Sequence, residues 1–351
     1  MTAEMTEAPL APATARAIEA AGLDVPDVVR VVRAALAEDF RDGADVTSVA
    51  TVAGRTLTAD VVAREPGVAA GLPVALAVLD LLGDYVAVTS GLEPGDARAA
   101  AAGLAGSGSA LAADGARRTV SGRALVADGA RRTVSGWALV ADGARVRPGD
   151  AVLRVSGDAV AVLGAERTML NFLTHLSGIA TATRAWADAV AGTGAVIRDT
   201  RKTLPGLRVL EKYAVRCGGG QNHRMGLGDA ALVKDNHVAA AGGVAAAVRA
   251  VRAAARPSLV VEVECDSVAQ VREALAAGAR FILLDNMPAA ELRQAVAVAR
   301  GYDGVRLEAS GGLRLGNARE IAVTGVDYLA VGALTHSSRA LDLGLDYSGA
   351  G

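Results

Sequence analysis

Residues 259–312 read LVVEVECDSVAQVREALAAGARFILLDNMPAAELRQAVAVARGYDGVRLEASGG. Three short runs rich in β-branched and apolar residues stand out: Leu259–Val263, Phe281–Leu284 and Val305–Glu308. Between them lie Val268–Ala277 and Ala289–Ala299, Ala-rich and apolar at helical spacing. Ser267 with Gln270 matches a capping box, and Pro288 suits a first helical turn. Strands alternating with helices at this interval imply a parallel sheet with helical crossovers. Outward from this core the same pattern predicts strands at Ala195–Arg198, Ala231–Lys234 and Tyr328–Val331, and helices at Ala239–Ala254 and Asn317–Val323. A dinucleotide-binding sheet would need a Gly-rich turn after its first strand, and none follows Arg198. The expected fold class is therefore α/β: a C-terminal incomplete β/α barrel of about six strands, preceded by a smaller N-terminal α+β domain.

Towards the N-terminus the pattern changes. Residues 1–19 are Ala/Thr/Pro-rich and are expected to be a flexible N-terminus. An N-terminal α+β domain is assigned to 20–180, with a helix from Pro26 to Glu38 and a half-buried strand over 57–63. Glu166 to Val190 reads as a long helix with an interruption near Ser177-Gly178. ALAADGARRTVSGR (110–123) is followed by ALVADGARRTVSGW (124–137) and ALVADGARV (138–146), a 14-residue tandem repeat. Asp-Gly between apolar runs is a hairpin signal, so 110–137 is expected to be a duplicated loop insert without a function of its own. The β/α barrel is assigned to 181–338, and 339–351 is a C-terminal tail expected to pack on the N-terminal domain.

The chain is 351 residues long, 52% hydrophobic and 3% aromatic, with a net charge of −2. That balance argues against nucleic-acid binding, which wants a basic surface or aromatic stacking platforms. Two cysteines are too few for a disulfide scaffold. No signal-peptide pattern or long uncharged apolar run is present, so a soluble cytoplasmic protein without membrane contact is expected.

The charged residues at the strand ends carry the chemistry. Only three of the 36 basic residues are lysines, Lys202, Lys212 and Lys234, all within 199–237. Arg201 and Lys202 leave one predicted strand, His223 and Arg224 follow the triple glycine 218–220, and Lys234 ends the next strand. Five cations gathered there suit a dicarboxylate, because guanidinium forks bind carboxylates bidentately. Glu264 and Asp285 end neighbouring strands; holding ribose hydroxyls, binding Mg²⁺ and stabilising positive charge are all open to them. Glu262, two residues earlier, faces the same side deeper down and is expected to be a buried partner of a cation. Ser310, Gly311, Gly312 and Gly332 allow the close backbone approach that a phosphate needs. His336 is open between a phosphate contact and a helix start. Lys212 has no ligand in this reading.

These segments match a family. DTRKTLPGLR, EKYAV, GGGQNHRMGLGDAALVKDNH, VEVE, LLDN, EASGG and VGALTHS resemble quinolinate phosphoribosyltransferase, as do LAEDFRDGADVTS (36–48), AREPGVAAGLP (63–73) and AERTMLNFLTHLSGIAT (165–181). The resemblance implies transfer of phosphoribosyl from 5-phosphoribosyl-1-pyrophosphate to quinolinate with Mg²⁺, yielding nicotinate mononucleotide, CO₂ and pyrophosphate in de novo NAD biosynthesis. It implies that Arg201, His223, Arg224 and Lys234 bind quinolinate, joined by Arg167 from a neighbouring subunit of a homodimer or of a hexamer of such dimers. By the same resemblance Lys202 lies between the substrates, and Glu264 and Asp285 bind ribose and Mg²⁺, with Ser310, Gly311, Gly312, Gly332 and His336 around the 5-phosphate. Catalytic roles fall to Lys202, Glu264 and Asp285. Two other readings compete: a paralogue of the same fold with another substrate, and a catalytically silent sensing protein.

Overall fold

The structure, a computed structural model, describes residues 10–86, 134–256 and 258–347. Its strands are β1 Thr56–Ala63, β2 Gly67–Val68, β3 Val134–Ala138, β4 Arg145–Val146, β5 Ala151–Asp158, β6 Val196–Arg198, β7 Ala230–Val233, β8 Val260–Cys265, β9 Phe281–Asp285, β10 Arg306–Ser310, β11 Tyr328–Ala330 and β12 Leu343–Tyr347. Strands β6 to β11 form one parallel sheet in the order β6-β11-β10-β9-β8-β7. Among the described residues β6 and β7 are its two edges, so the six-stranded sheet does not close into a barrel. Every strand of this sheet lies within two residues of its sequence expectation. Fully parallel sheets are covered on both faces and so spell continuous apolar runs, which makes them legible.

Two helix boundaries depart from expectation for local reasons. The single helix expected over Ala239–Ala254 is two, Asp235–Ala241 and Val244–Ala254. Gly242 and Gly243 at φ 82° and 129° leave helical space between them. Conversely, the expected break at Ser177-Gly178 does not occur: Ala159–Ala189 is one helix of 31 residues. Gly178 serves a different purpose, since a side chain there would collide with the Arg339 carbonyl. The bare helix surface lets the C-terminal tail lie against it, with Leu341 N–H donating to Thr174 O at 2.9 Å. This helix also crosses the expected 180/181 boundary and packs on both sheets.

The N-terminal layer is an antiparallel sheet in the order β12-β1-β5-β3, backed by helices Val25–Asp39 and Leu72–Leu81. Val28, Val31, Val32 and Leu36 bury one stripe of the former, as their spacing requires. The tail contributes β12 to the far edge of β1, with Val61 opposite Leu345. The flexible N-terminus expected over 1–19 is corrected over part of its length. Pro12–Ala20 is a helix with Pro12 in its first turn, anchored by Ile18, which is fully buried. Most of the duplicated insert 110–137 lies outside the described residues. Its end does not behave as a loop: Val134–Trp137 belong to β3, with Gly136 opposite Val155 and Trp137 opposite Arg154.

Candidate active site at the strand ends

Asp199, one residue beyond β6, organises the loop that follows. It is fully buried, and its carboxylate binds Lys212 Nζ and accepts the His223 N–H at 2.8 Å and an N–H of the Asn222 amide. Lys212, from the helix Arg208–Cys217, is also fully buried and donates to His223 O at 2.9 Å. Burial pushes Lys212 below its ordinary pKa and Asp199 above its own, and their mutual attraction opposes both shifts. The lysine left without a ligand in the sequence thus staples the 221–224 loop to β6.

That staple places His223. Its Nε2 lies 2.9 Å from Glu262 Oε2 and 3.3 Å from Glu308 Oε1, and its Nδ1 accepts the Arg224 N–H at 2.7 Å. The expectation that Glu262 is a buried partner of a cation is met, and the partner is this histidine. Burial pushes His223 down, but hydrogen bonds and charge from Glu262 and Glu308 together raise it to about 9. Burial raises Glu262, against the pull of His223. The Arg224 N–H works against a second proton at Nδ1, so the trio shares a proton on the Nε2 side. Both ring nitrogens are taken up inside the chain.

Arg201 and Arg224 lie beside this cluster. Arg224 Nη1 donates to Ala230 O at 2.9 Å. The Nε atoms of both arginines are buried without a hydrogen-bond partner. Burial lowers the pKa of Arg224, and the charge of Arg201 lowers it further. Two like charges near enough to repel, each with an unmet donor, form a site short of an anion.

The remaining residues form three groups. Lys234 Nζ stands 3.4 Å from Glu264 Oε2 at the ends of β7 and β8. Asp285, at the end of β9, has Oδ2 bound by the Asn286 amide at 2.8 Å. Asn286 sits at φ 55°, the one non-glycine with positive φ among the described residues, and its peptide N–H donates to Ser310 O at 2.9 Å. Its side chain fills the space over Gly311 that a Cβ would occupy. Gly332 adjoins Lys202 Cδ, Thr200 Oγ1 and His336 Nε2 at 3.0, 3.4 and 3.5 Å from where its Cβ would lie. Lys202, Gly332 and His336 are thus together, as are Asp285, Ser310 and Gly311. Arg167 is apart from these groups: it is exposed on the helix Ala159–Ala189, lining a cavity of about 600 Å³ with Glu38, His175 and Pro205.

Sequence reasoning missed Asp199, Asn286 and Glu308. The positive φ of Asn286 left no mark in the sequence, since Asn is among the few residues that tolerate it. Glu264 and Asp285 supply hard carboxylate oxygens at adjacent strand ends, a donor set that suits Mg²⁺ shared with substrate phosphates. His223, Glu262 and Glu308 also bring ligand atoms within 4.8 Å of one another. They suit a cation less well. Glu308 Oε2 is held by Arg198 Nη1 at 2.6 Å, and 2.9 Å between Nε2 and a carboxylate oxygen is a hydrogen bond.

The chain is similar to known proteins over most of its length. The profile described as "Quinolinate phosphoribosyl transferase, C-terminal domain" matches residues 179–346, and the corresponding N-terminal domain profile matches 110–177. A nicotinate-nucleotide pyrophosphorylase [carboxylating] of Mycobacterium leprae is 51% identical over 319 residues, 90% of this chain and 95% of that protein. The Homo sapiens protein of the same name is 44% identical over 201 residues, 56% of this chain and 68% of its own length. The structure of the nicotinate-nucleotide pyrophosphorylase from Francisella tularensis superposes with a TM-score of 0.76 at 33% identity, covering 93% of this chain and 98% of that one.

Proposed function

Since the chain belongs to the quinolinate phosphoribosyltransferase family, we propose that its strand-end site joins quinolinate to 5-phosphoribosyl-1-pyrophosphate, with nicotinate mononucleotide, CO₂ and pyrophosphate as products. The observation that carries this assignment is the pair of buried, unpartnered Nε donors on Arg201 and Arg224. A pyridine dicarboxylate supplies the acceptors and the negative charge they lack, in the bidentate geometry that guanidinium favours. Lys234, at the end of β7 and 3.4 Å from Glu264, supplies a third cation.

The second substrate fits the remaining strand-end residues. Backbone N–H groups at Ser310–Gly312 and Gly332, with His336, would take the 5-phosphate. Glu264 and Asp285 would hold the ribose and Mg²⁺, which when bound neutralises charge on the leaving pyrophosphate. Their carboxylates also face the positive charge that develops at C1 as that bond breaks. Lys202, adjoining Gly332, stands where it can attract pyrophosphate. Arg201, Arg224 and Lys234 orient the ring so that its nitrogen meets C1. Decarboxylation follows, because the pyridinium then accepts the electron pair left by CO₂, and a proton completes the product.

Arg167 is assigned to the site of a neighbouring subunit, in a homodimer or an assembly of dimers. No helix among the described residues is long and apolar enough to cross a membrane. Because phosphoribosyl pyrophosphate is an intracellular substrate, we place the enzyme in the cytoplasm. The test is formation of nicotinate mononucleotide from quinolinate and phosphoribosyl pyrophosphate, with and without Mg²⁺, with nicotinate as the competing substrate. Lys234→Ala should abolish most turnover; equal use of nicotinate would overturn the assignment.

A further inference from the structure

Beneath Arg201 and Arg224 the curled sheet carries a layer of charge. Barrels of this kind ordinarily stack branched apolar side chains there, with each layer drawn from alternate strands. Here the alternate strands β6, β8 and β10 contribute Arg198, Glu262 and Glu308. Glu308 is 0% exposed, Glu262 3% and His223 8%. Arg198 Nη1 binds Glu308 Oε2 at 2.6 Å, and its guanidinium lies over Phe281 and Tyr328, 5.4 and 4.9 Å from the ring centroids. The Oε1 atoms of both glutamates are buried without a hydrogen-bond partner.

Stability does not account for such a layer. Buried ionic clusters are often matched or bettered by apolar residues of the same volume, and unmet buried acceptors add a cost. What the layer does is hold one ring. Glu262 binds His223 Nε2, Glu308 flanks it, and Arg198 fixes Glu308 from the other side. Held from that side, the ring turns Nδ1 towards the Arg224 peptide N–H at 2.7 Å. That hydrogen bond orients the backbone from which the Arg224 side chain leaves, while Ala230 O restrains Nη1 and leaves Nε open. The route runs from two buried carboxylates, through an imidazole, to the root of a substrate-binding arginine.

We infer that Glu262 and Glu308 are positioning residues for quinolinate: they clamp His223 beneath the site and thereby aim Arg224. This rests on the reading of Arg201 and Arg224 as the dicarboxylate site. Neither glutamate touches substrate, so their effect is specific to one substrate and grades with how well a replacement holds the ring.

The test is steady-state kinetics of Glu262→Leu, Glu262→Gln and Glu308→Gln, with each substrate varied at saturating partner and folding checked by circular dichroism and Tm. Glu262→Leu should raise the KM for quinolinate about tenfold or more, the loss of an arginine's alignment, with the KM for phosphoribosyl pyrophosphate within about twofold of wild type. Glu262→Gln keeps an acceptor for Nε2 and should recover most of that loss. Should Glu262→Leu fail to fold, the two amide variants carry the test, with a smaller quinolinate-specific rise expected from each. A change confined to Tm, or an equal rise in both KM values, would overturn the inference and leave the enzyme assignment intact. A wild type that makes no nicotinate mononucleotide would overturn the assignment and this inference with it.

Discussion

Arg224 and Arg201 concentrate what a single substitution can reveal. A charge-assisted hydrogen bond to a ligand is worth about 1.5–3 kcal/mol, and each ~1.4 kcal/mol is tenfold. Arg224→Gln should therefore cut kcat/KM for quinolinate by roughly 10- to 100-fold; a loss under about threefold would remove Arg224 from the site. Asn286 separates contact from strain. Asn286→Ala and Asn286→Gly both release Asp285, and both should raise the KM for phosphoribosyl pyrophosphate. Only the Ala variant keeps a Cβ at φ 55° without the amide that holds that turn, so it should be the less stable by about 1 kcal/mol in urea denaturation. Equal stability would mean the turn is unstrained. The cations of this site were legible because they cluster in the sequence. Glu308 and Asp199 were not, since nothing local distinguishes a carboxylate buried in a sheet from one in water.

At the scale of elements, β3 changes the reading of the repeat. Val134–Ala138 is a paired edge strand, so removing all of 110–137 would take out most of a strand. Removing 110–123 alone leaves β3 and its register untouched. That one-period deletion should keep kcat near wild type, and a large loss in a folded variant would give the repeat a catalytic role. Gly178 marks where the tail meets the long helix. Gly178→Ala should displace Arg339 and Ala340 and lower Tm by a few degrees, the response expected to overpacking of about 1–3 kcal/mol. An unchanged Tm would mean the tail yields without cost. The parallel strands were readable because both of their faces are buried. β12 was not, because its partner among the described residues, β1, lies some 280 residues earlier in the chain.

At the scale of the whole molecule, the proposal that Arg167 completes a neighbouring subunit's site can be tested by subunit exchange. Arg167→Ala and Lys234→Ala, each nearly inactive alone, should complement when mixed and allowed to exchange subunits. Random pairing restores one intact site in each mixed dimer, about a quarter of all sites. No recovery after exchange would place Arg167 outside the partner's site.

The sequence by itself determined the α/β class, the order of the parallel strands along the chain and the family, because motif chemistry and apolar periodicity are local properties. Only the tertiary structure decided that Lys212 is a buried staple and that the C-terminal tail completes the N-terminal sheet. It also decided that His223 faces inward onto Glu262 and Glu308. Each of these depends on which distant residue supplies the counter-charge or the strand edge, and burial sets that after the chain has closed on itself.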